Sequence, residues 1–423
     1  MAEGKRQLKV WIVTVGEPLP IDGEHERLYR SGILCDHMAD EGHEVTWWTS
    51  SFNHTRRAQR AVGDAEVRLR PNQTIVLVPE PGYSRSVSLR RIASHMLCAR
   101  HFRRMAESAD RPDVILVSYP TIELTRAAIA VGRCFRVPVV VDIRDLWPDI
   151  FARELPRALR PLGRLLLMPY DRLARKALRE VDAIVAITAG IRDWGLAKAG
   201  RVAGPMDRDF PFGYLRRELQ PSEQAAAEAF WRARGVTGDD WNICFFGAIG
   251  KQTRFDAVIA AARTMQDSLP RVRFILCGTG EKLPLYERMA QDLRNVDFPG
   301  WVDGNQIAAL MRMSKMGLTA YPSSDDFLLS IPNKPIEYMS AGLPFLSNID
   351  GTLGALIRDH GVGALYRSSE PATLVDTIAG LVDDPESMRS MEEAATTLFS
   401  REFDANTVYA NYSRYLQQVA EVL

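Results

Sequence analysis

The sequence predicts an α/β protein with two domains, each built on a parallel sheet. The chain has 423 residues, which is more than one ordinary hydrophobic core supports. Apolar runs such as residues 9–15 end at glycine loops, which is typical of buried parallel strands. Strand, loop, helix and strand alternate in both halves of the chain, and this alternation predicts βαβ units in each domain.

Composition indicates a soluble globular protein, with 46% hydrophobic and 25% charged residues. No apolar run approaches the length of a membrane span and no signal peptide is recognisable before Leu8, so we expect a cytoplasmic protein. The five cysteines form no Cys-x-x-Cys pair, which predicts reduced core thiols rather than a disulfide or metal framework. They are Cys35, Cys98, Cys134, Cys244 and Cys277.

The net charge of zero conceals an asymmetry between the two halves. Residues 1–215 carry 33 Lys and Arg against 26 Asp and Glu, whereas the remainder carries 20 against 27. A basic first half and an acidic second half predict different partners for the two halves.

In the first half, we predict a strand at 9–15, a loop at Gly16, a helix at 24–40 and a strand at 45–49. The loop lacks the Gly-x-Gly-x-x-Gly pattern, so dinucleotide binding is not favoured there. Further strands are predicted at 75–79, 114–118, 137–143 and 183–187, with a helix at 122–135. Arg144 and Asp145 follow the strand 137–143, where ligands of open α/β sheets bind. The alternative is an Arg144–Asp145 ion pair that caps the next helix.

Two basic segments of the first half interleave arginines with apolar residues. A helix is predicted at 83–107, and residues 83–111 hold seven Arg against two acidic residues. Residues 153–179 hold eight basic residues against two acidic ones, around Leu165 and Leu166. Such segments are either docked helices with a solvated basic face or surfaces that rest on anionic lipid.

Periodicity fails between about 200 and 221, where we place the interdomain linker, and a helix at 222–234 follows. A strand at 242–246 opens into a loop that contains Gly250, Lys251 and Arg254 before a helix at 255–265, an arrangement suited to phosphate binding. The loop is not a P-loop, which argues against NTP hydrolysis. Strands at 272–277, 296–298 and 316–320 and a helix at 305–313 follow.

The stretch 330–344 is where we expect the chemistry. It predicts a short helix that ends at Gly342 and leads into a strand at 344–347. Asn333 and Lys334 would lie at the helix N-terminus, which attracts phosphate, and Glu337 one turn further could accept hydrogen bonds from sugar hydroxyls. The alternative is a surface helix whose charges are solvated. Helices at 371–399 and an amphipathic helix at 403–422 complete the chain.

Taken in order, these motifs resemble bacterial glycosyltransferases of GT-B fold, in the large retaining group. The motifs are the Gly16 loop, Gly-His-Glu at 42–44, Arg-Asp-Leu-Trp-Pro at 144–148, Phe-Gly at 246–247 with Lys251, Cys-Gly-Thr-Gly at 277–280, and 332–339. They are most similar to the N-acetyl-fucosamine transferase subgroup of O-antigen and capsule synthesis. The resemblance implies two Rossmann-like domains whose parallel sheets face each other across a cleft. It implies an acceptor domain at 1–214, a nucleotide-sugar domain at 215–400 and a helix at 401–423 returning to the first domain.

The resemblance implies metal-independent, retaining transfer of a sugar from a nucleotide-diphosphate sugar, a UDP-sugar first, with no cofactor and no nucleic-acid partner. The acceptor would be a lipid-linked glycan of cell-surface lipopolysaccharide or exopolysaccharide synthesis, met by a peripheral protein on the inner face of the cell membrane. Two alternatives remain, a nucleotide-sugar epimerase of the same architecture and a non-catalytic sugar-nucleotide-binding protein.

The resemblance also assigns roles to residues. Catalysis falls to Asp145, Arg144 and Lys251, with Asp145 and Arg144 facing the donor sugar or the acceptor proton. Donor binding falls to Gly16, Gly250, Arg254, Gly278, Trp301, Val302, Asn333, Lys334 and Glu337. Leu329, Ala248 and Thr253 stand where the wider family has Glu, Arg and Lys, so Lys251 and Arg254 would supply the missing charge from shifted positions.

Overall fold

The computed structural model describes residues 6–23, 26–60, 65–84, 88–153 and 155–423. The chain divides into two compact units. Unit 1 comprises Met1–Gly213 together with Val408–Leu423, and unit 2 comprises Tyr214–Thr407. Each unit contains one main sheet with helices packed on it, so the predicted α/β class with two sheets is confirmed.

Unit 1 is organised around an eight-stranded sheet with the order β10-β9-β8-β7-β1-β2-β6-β5. Its elements in chain order are β1 (Lys9–Val13), α1 (Arg30–Asp40), β2 (Glu44–Ser50), β3 (Phe52–Asn53), β4 (Ala58–Gln59), β5 (Glu66–Arg70), β6 (Gln73–Val78), α2 (Leu89–Ala106), β7 (Val114–Tyr119), α3 (Ile122–Phe135), β8 (Val139–Ile143), α4 (Asp149–Arg153), a 3-10 turn (Arg157–Leu159), α5 (Arg160–Glu180), β9 (Ala183–Ala186), α6 (Ala189–Ala199) and β10 (Arg208–Asp209).

Unit 2 is organised around a six-stranded, fully parallel sheet with the order β13-β12-β11-β14-β15-β16. Its elements are α7 (Pro221–Arg232), β11 (Trp241–Phe246), α8 (Asp256–Ser268), β12 (Val272–Cys277), α9 (Leu283–Met289), β13 (Val296–Asp297), α10 (Gly304–Arg312), β14 (Met316–Thr319), α11 (Asp325–Leu329), α12 (Asn333–Ser340), β15 (Phe345–Ser347), α13 (Thr352–His360), β16 (Gly363–Leu365), α14 (Ala372–Val382), α15 (Pro385–Leu398) and a π-helical turn (Phe399–Phe403). The last helix is α16 (Ala405–Val422).

Helix α1 begins later than the predicted residue 24. Glu24 and His25 lie outside the described residues, and the helix starts at Arg30. Its N-terminus is capped from a distance, because the backbone N–H of Ser31 donates to the carboxylate of Glu17 at 3.0 Å. A cap that comes from a preceding loop leaves no local pattern such as an N-cap serine, so the predicted start of helix α1 was wrong.

Two strands of the first sheet are absent from the sequence prediction. β5 pairs antiparallel with β6 at the sheet edge, so this sheet is mixed rather than wholly parallel. β5 reads Glu-Val-Arg-Leu-Arg and is exposed or half-buried throughout, which removes the apolar run that identified the other strands. β10 has only two residues and lies inside the predicted linker, which makes 183–187 the wrong choice for the last strand.

Helix α12 ends as predicted. Gly342 adopts a left-handed φ of 68°, and its N–H donates to the carbonyl of Met339 at 3.0 Å. The N–H of Leu343 reaches back to the carbonyl of Tyr338 at 3.0 Å, which completes a Schellman motif. The Tyr338 ring lies against Gly317, where an added Cβ would come within 2.4 Å of it. Helix α12 therefore packs close to β14.

Helix α16 starts in unit 2, and from Val408 onward it belongs to unit 1. There the ring of Tyr412 stacks on Phe210 with a centroid distance of 4.3 Å, and Ser413 bonds to Glu41 at 2.5 Å. The chain divides after Gly213 and after Thr407, whereas the predicted bounds were 214 and 400.

Four of the five cysteines are buried free thiols, in agreement with the prediction, but Cys134 is exposed and its assignment to the core was wrong. Cys134 lies in the last turn of α3. Among the described residues, no helix has both the length and the apolar content that crossing a bilayer requires.

Candidate functional site

In unit 2, two turns meet just beyond the carboxyl ends of β11 and β12. The N–H of Gly247 donates to the carbonyl of Cys277 at 3.1 Å, and the N–H of Ile249 donates to Thr279 at 2.9 Å. The two turns are thus joined backbone to backbone, which requires residues without bulk. This edge of an open parallel sheet is where ligands bind.

Glycines permit that approach. Gly278 has a φ of 141°, and a Cβ there would lie 1.8 Å from the carbonyl oxygen of Gly247. Gly280 has a φ of 153°, and a Cβ there would lie 2.5 Å from the oxygen of Ile249. Only glycine fits these positions, both for its backbone conformation and for the space. The predicted donor-binding residue Gly278 therefore shapes the turn.

Lys334, in the first turn of α12, is directed at the first of these turns. Its ammonium lies 4.9 Å from the centroid of Phe245 and 5.6 Å from that of Tyr321. A Cβ on Gly247 would lie 2.7 Å from the Lys334 nitrogen, so the cation occupies the bare face of this glycine. Burial lowers the pKa of Lys334 and the negative charge of Glu337 partly offsets this. Lys334 is therefore a partly desolvated cation, held in place at the sheet edge.

Glu337 and Asn333 lie on the same helix as Lys334 but in different surroundings. Glu337 is buried, with 8% of its surface exposed, whereas Asn333 is exposed. A carboxylate at this depth beside a cation can hold hydroxyl groups in a fixed geometry. The predicted solvated surface helix is therefore wrong for Glu337 and Lys334.

The loop between β11 and α8 carries the other predicted cations. Lys251 is exposed, and the half-buried Arg254 donates to the carbonyl of Lys251 at 2.6 Å. Thr253 is buried, and its hydroxyl closes the loop by donating to the carbonyl of Ala248 at 2.8 Å. Gly250 accepts from the N–H of Thr253 at 3.0 Å, so it forms the turn between them.

A cation from another segment, Lys282, contacts this loop and was not predicted from the sequence. The ammonium of Lys282 donates to the carbonyl of Thr253 at 3.2 Å. Burial, together with the nearby charge of Arg254, lowers the pKa of Lys282. Its position two residues after Gly280, at the start of α9, was the available indication, but α9 itself was not predicted.

Trp301 and Val302 follow the loop that is joined to Gly278. The N–H of Gly278 donates to the carbonyl of Gly300 at 2.7 Å. Trp301 is 73% exposed, so its indole can contact a planar ligand. Val302 is buried, so its side chain is not available for such a contact. The structure therefore brings the predicted donor-binding residues of unit 2 to one edge of the sheet.

A cavity of about 380 Å³ lies elsewhere in unit 2, at the amino-terminal ends of the strands. It is lined by Gly238, Asp239, Trp241, Arg271, Lys315 and Val382. None of the predicted site residues lines it, and it lies at the edge opposite the glycine turns.

In unit 1, Arg144 is engaged within a charge network. Its Nε donates to Asp142 at 2.9 Å, and its other nitrogens contact the carboxylate of Glu17 and the hydroxyl of Ser31. Burial alone would lower the pKa of Arg144, but Asp142 and Glu17 outweigh it and raise that pKa. The suggested Arg144–Asp145 ion pair is therefore wrong, because Asp142 and Glu17 hold the guanidinium instead.

The same network contains Arg30, which the sequence analysis missed. Arg30 binds Asp142 through two nitrogens, at 2.8 and 3.1 Å, with both side chains almost fully buried. The two residues are 112 positions apart, so no local pattern connects them.

Asp145 and Gly16 are placed next to this network. The Oδ1 of Asp145 accepts from the N–H of Leu146 at 2.7 Å, shortly before α4. Gly16 is exposed with a φ of 91°, and a Cβ there would meet no atom within 4 Å. Gly16 is therefore required for its backbone conformation, and it leaves space beside Glu17.

Unit 2 thus combines a helix N-terminus, several cations, a buried carboxylate and an exposed indole at the carboxyl edge of a parallel sheet. Cations and helix N-termini can bind phosphate groups, a carboxylate can accept hydrogen bonds from hydroxyls, and an indole can stack on a planar ring. Fold and site together define the class of α/β proteins that handle phosphorylated ligands at a sheet edge.

Comparison with known proteins narrows this class. A domain model described as "Glycosyl transferases group 1" matches residues 228–398, and one described as "Glycosyl transferase 4-like domain" matches residues 31–207. The chain is therefore a glycosyltransferase of GT-B fold. No curated protein sequence matches it.

Solved structures share the fold at low identity. Sucrose-phosphate synthase from Thermosynechococcus elongatus is 15% identical with a TM-score of 0.71, covering 99% of this chain and 100% of that one. HepE of Anabaena, solved with UDP-glucose, is 16% identical with a TM-score of 0.62, covering 98% and 99%. WaaG, a glycosyltransferase involved in lipopolysaccharide biosynthesis, is 16% identical with a TM-score of 0.60, covering 96% and 98%.

Proposed function

We propose that the protein transfers a sugar, with retention of anomeric configuration, from a nucleotide-diphosphate sugar to a glycan acceptor. The observation that carries this proposal is the placement of Lys334 over Gly247, where two glycine turns and the start of α12 meet. A uridine diphosphate sugar is the donor to test first, since HepE was solved with UDP-glucose.

The diphosphate leaves with more negative charge than it carries when bound as the sugar ester. Cations and N–H groups already aimed at it therefore stabilise the transition state more than the ground state. Lys334 and the loop that carries Gly250 are held in place before the donor arrives, and Lys251, Arg254 and Asn333 would add further polar contacts. Glu337 would hold the ribose hydroxyls.

The remaining roles follow the same geometry. Trp301 would lie against the base, with the backbone of Val302 and Gly278 beside it. In unit 1, Asp145 would act on the donor sugar or accept a proton from the acceptor hydroxyl, and Gly16 would leave room for the sugar. Arg144 acts here through the network with Glu17 and Asp142, which positions the segment that carries Asp145.

We further propose that the acceptor is lipid-linked and that unit 1 meets it at an anionic membrane surface. Helix α5 supports this, because Leu165 and Leu166 are 59% and 73% exposed. Leu162 and Leu173 are also exposed, and their spacing places all four leucines on one face of the helix, which forms an apolar stripe. Exposed cations flank the stripe, namely Arg164, Arg172, Arg175 and Lys176. An apolar stripe bordered by cations is typical of a helix that lies in a membrane interface.

Helix α2 presents a second surface of this type. Leu89, Met96 and Leu97 are exposed along one side of it, and Arg100 and Arg104 are exposed toward its end. Arg85 and Val87, which the sequence analysis included, lie outside the described residues. α2 and α5 both pack on α3, so the two surfaces belong to the same region of unit 1.

A transfer assay tests the proposal. The purified protein is incubated with radiolabelled UDP-sugars, with and without a lipid extract of bacterial membranes. Label that enters the lipid phase, with the donor's anomeric configuration in the product by NMR, is the expected result. Conversion of the donor to an isomer without acceptor would identify an epimerase, and tight binding without turnover would identify a non-catalytic binding protein.

A further inference from the structure

Three side chains that the proposed reaction does not use converge inside unit 1. His54 lies in the turn between β3 and β4, Glu80 follows β6, and His95 lies in α2. One ligand atom from each lies within 4.8 Å of the others. Glu80 and His95 are buried, and His54 is half-buried.

The atoms that face one another lack hydrogen-bond partners. Among the described residues, Nε2 of His54, Oε2 of Glu80 and both ring nitrogens of His95 are buried without one. A buried polar atom left in this state costs about 1–3 kcal/mol, so a group of them at one point requires an explanation. A bound metal ion that accepts a lone pair from each of the three side chains would explain this arrangement.

The opposite atoms of His54 and Glu80 are held by neighbours. Nδ1 of His54 lies 2.7 Å from the hydroxyl of Tyr83, and Oγ of Ser94 donates to Oε1 of Glu80 at 2.8 Å. These contacts turn Nε2 of His54 and Oε2 of Glu80 toward each other, 3.5 Å apart. Metal ligands are oriented in this way, by outer hydrogen bonds to the atoms that do not bind the ion.

We propose that His54, Glu80 and His95 bind one divalent transition-metal ion of the zinc class. Two imidazoles and one carboxylate are a common zinc ligand set, with water in the fourth position. Zinc–ligand bonds of about 2.0–2.2 Å in tetrahedral geometry place ligand atoms about 3.4 Å apart. The 3.5 Å between Nε2 of His54 and Oε2 of Glu80 already meets this distance, and the three ligand atoms, one of them from His95, all lie within 4.8 Å of one another.

The ion would have a structural role. It would join the β3–β4 turn, the end of β6 and α2, and so add to hydrogen bonds such as the one from Ser94 to Glu80. The ring of His95 stacks on Trp147 at 6.4 Å, so the site also supports the segment that carries Asp145. Helix α2, with its exposed apolar and basic face, would be fixed to the sheet through His95.

Zinc binding by untagged full-length protein tests the inference. The protein is treated with a chelator, dialysed, and titrated with Zn²⁺ against a competing chromophoric chelator. We expect one tightly bound equivalent, and a higher melting temperature with zinc than without. Co²⁺ in place of Zn²⁺ should give the visible absorption of a four-coordinate site.

Matched variants locate the ion. His95→Ala and Glu80→Gln should weaken binding by at least about 100-fold, whereas Tyr83→Phe, which removes only an outer contact, should weaken it by about 10–100-fold. His101→Ala is the control, because His101 lies on the same helix but bonds to the carbonyl of Pro79. If wild-type protein binds less than one equivalent, or if His95→Ala binds as tightly as wild type, the ion is adventitious only and the inference is wrong. The wild-type titration gives this answer even if the His95 variant does not fold.

Discussion

Replacing Lys334 by alanine and replacing Lys251 by alanine should have clearly different effects on donor use. The ammonium of Lys334 is partly desolvated over Phe245 and Gly247, so the contact it makes with a diphosphate is only weakly screened by water. Loss of a charge-assisted hydrogen bond costs about 1.5–3 kcal/mol, which is about 10- to 150-fold in kcat/KM. Lys251 is exposed, and an exposed charge pair contributes about 0–1 kcal/mol, which is at most about fivefold.

The assay measures kcat/KM for the donor by release of the nucleotide diphosphate. Lys315→Ala is the matched control, because Lys315 lines the cavity at the opposite edge of the same sheet. It should leave donor kinetics unchanged. An equal loss in the Lys251 and Lys334 variants, or a Lys334 variant within twofold of wild type, would refute the placement of the diphosphate at Lys334.

The pH dependence of the same reaction follows from the environment of Lys334. Burial lowers the pKa of Lys334, so in the free enzyme it loses its proton at a lower pH than an exposed lysine. Since only the protonated form attracts the diphosphate, kcat/KM for the donor should fall on the alkaline side below the usual lysine range near 10.4. Lys334→Arg, which stays charged, should remove that decline. A decline that is the same in both proteins would assign it to another group.

Three further predictions concern unit 1. Asp145→Asn should keep the fold and the donor affinity while lowering kcat by about 100-fold or more, measured by circular dichroism and transfer kinetics. Wild-type turnover in a folded variant would mean that Asp145 has no catalytic role. Arg30→Met should lower the free energy of unfolding in urea by about 3 kcal/mol, because it leaves Asp142 buried with one cation fewer. Arg56→Met removes an exposed pair with Glu26 and should change that free energy by less than about 1 kcal/mol. Equal effects of the two variants would contradict the weight given to burial. Leu165→Ser with Leu166→Ser should weaken co-sedimentation with anionic vesicles by about tenfold or more, and so should charge reversal at Arg100, Arg103 and Arg104. Leu285→Ser in unit 2 is the control and should leave co-sedimentation unchanged. High salt should release the wild-type protein, and absence of binding at any salt would mean that the acceptor is not met at a membrane.

Much of the secondary structure could be predicted from local pattern. Helix α3 and strand β12 have the predicted bounds, because their apolar periodicity is strong and their ends are marked. The errors fall where the determining contact is distant in sequence. α1 starts where Glu17 caps it, and β5 is a polar edge strand that only its pairing with β6 defines.

The candidate site shows the same division. Glycine turns, Lys334 and Glu337 could be located from the sequence because each belongs to a short motif at the end of a strand or the start of a helix. Lys282 could not, since its relevance depends on the carbonyl of Thr253, 29 positions away. The role of Thr253 in closing the loop likewise depends on a fold that the motif alone does not describe.

By itself, the sequence determined the α/β class, the positions of most strands along the chain and the resemblance to GT-B glycosyltransferases, because apolar periodicity and short motifs are local properties of a chain. Only the tertiary structure decided which charges are buried and which side chains meet. Arg30 and Asp142 pair across 112 positions, and His54, Glu80 and His95 converge from three segments. Such contacts depend on the order of strands in the sheet and on the packing of helices against it, and these arise from the burial of apolar surface over the whole chain rather than from any local pattern.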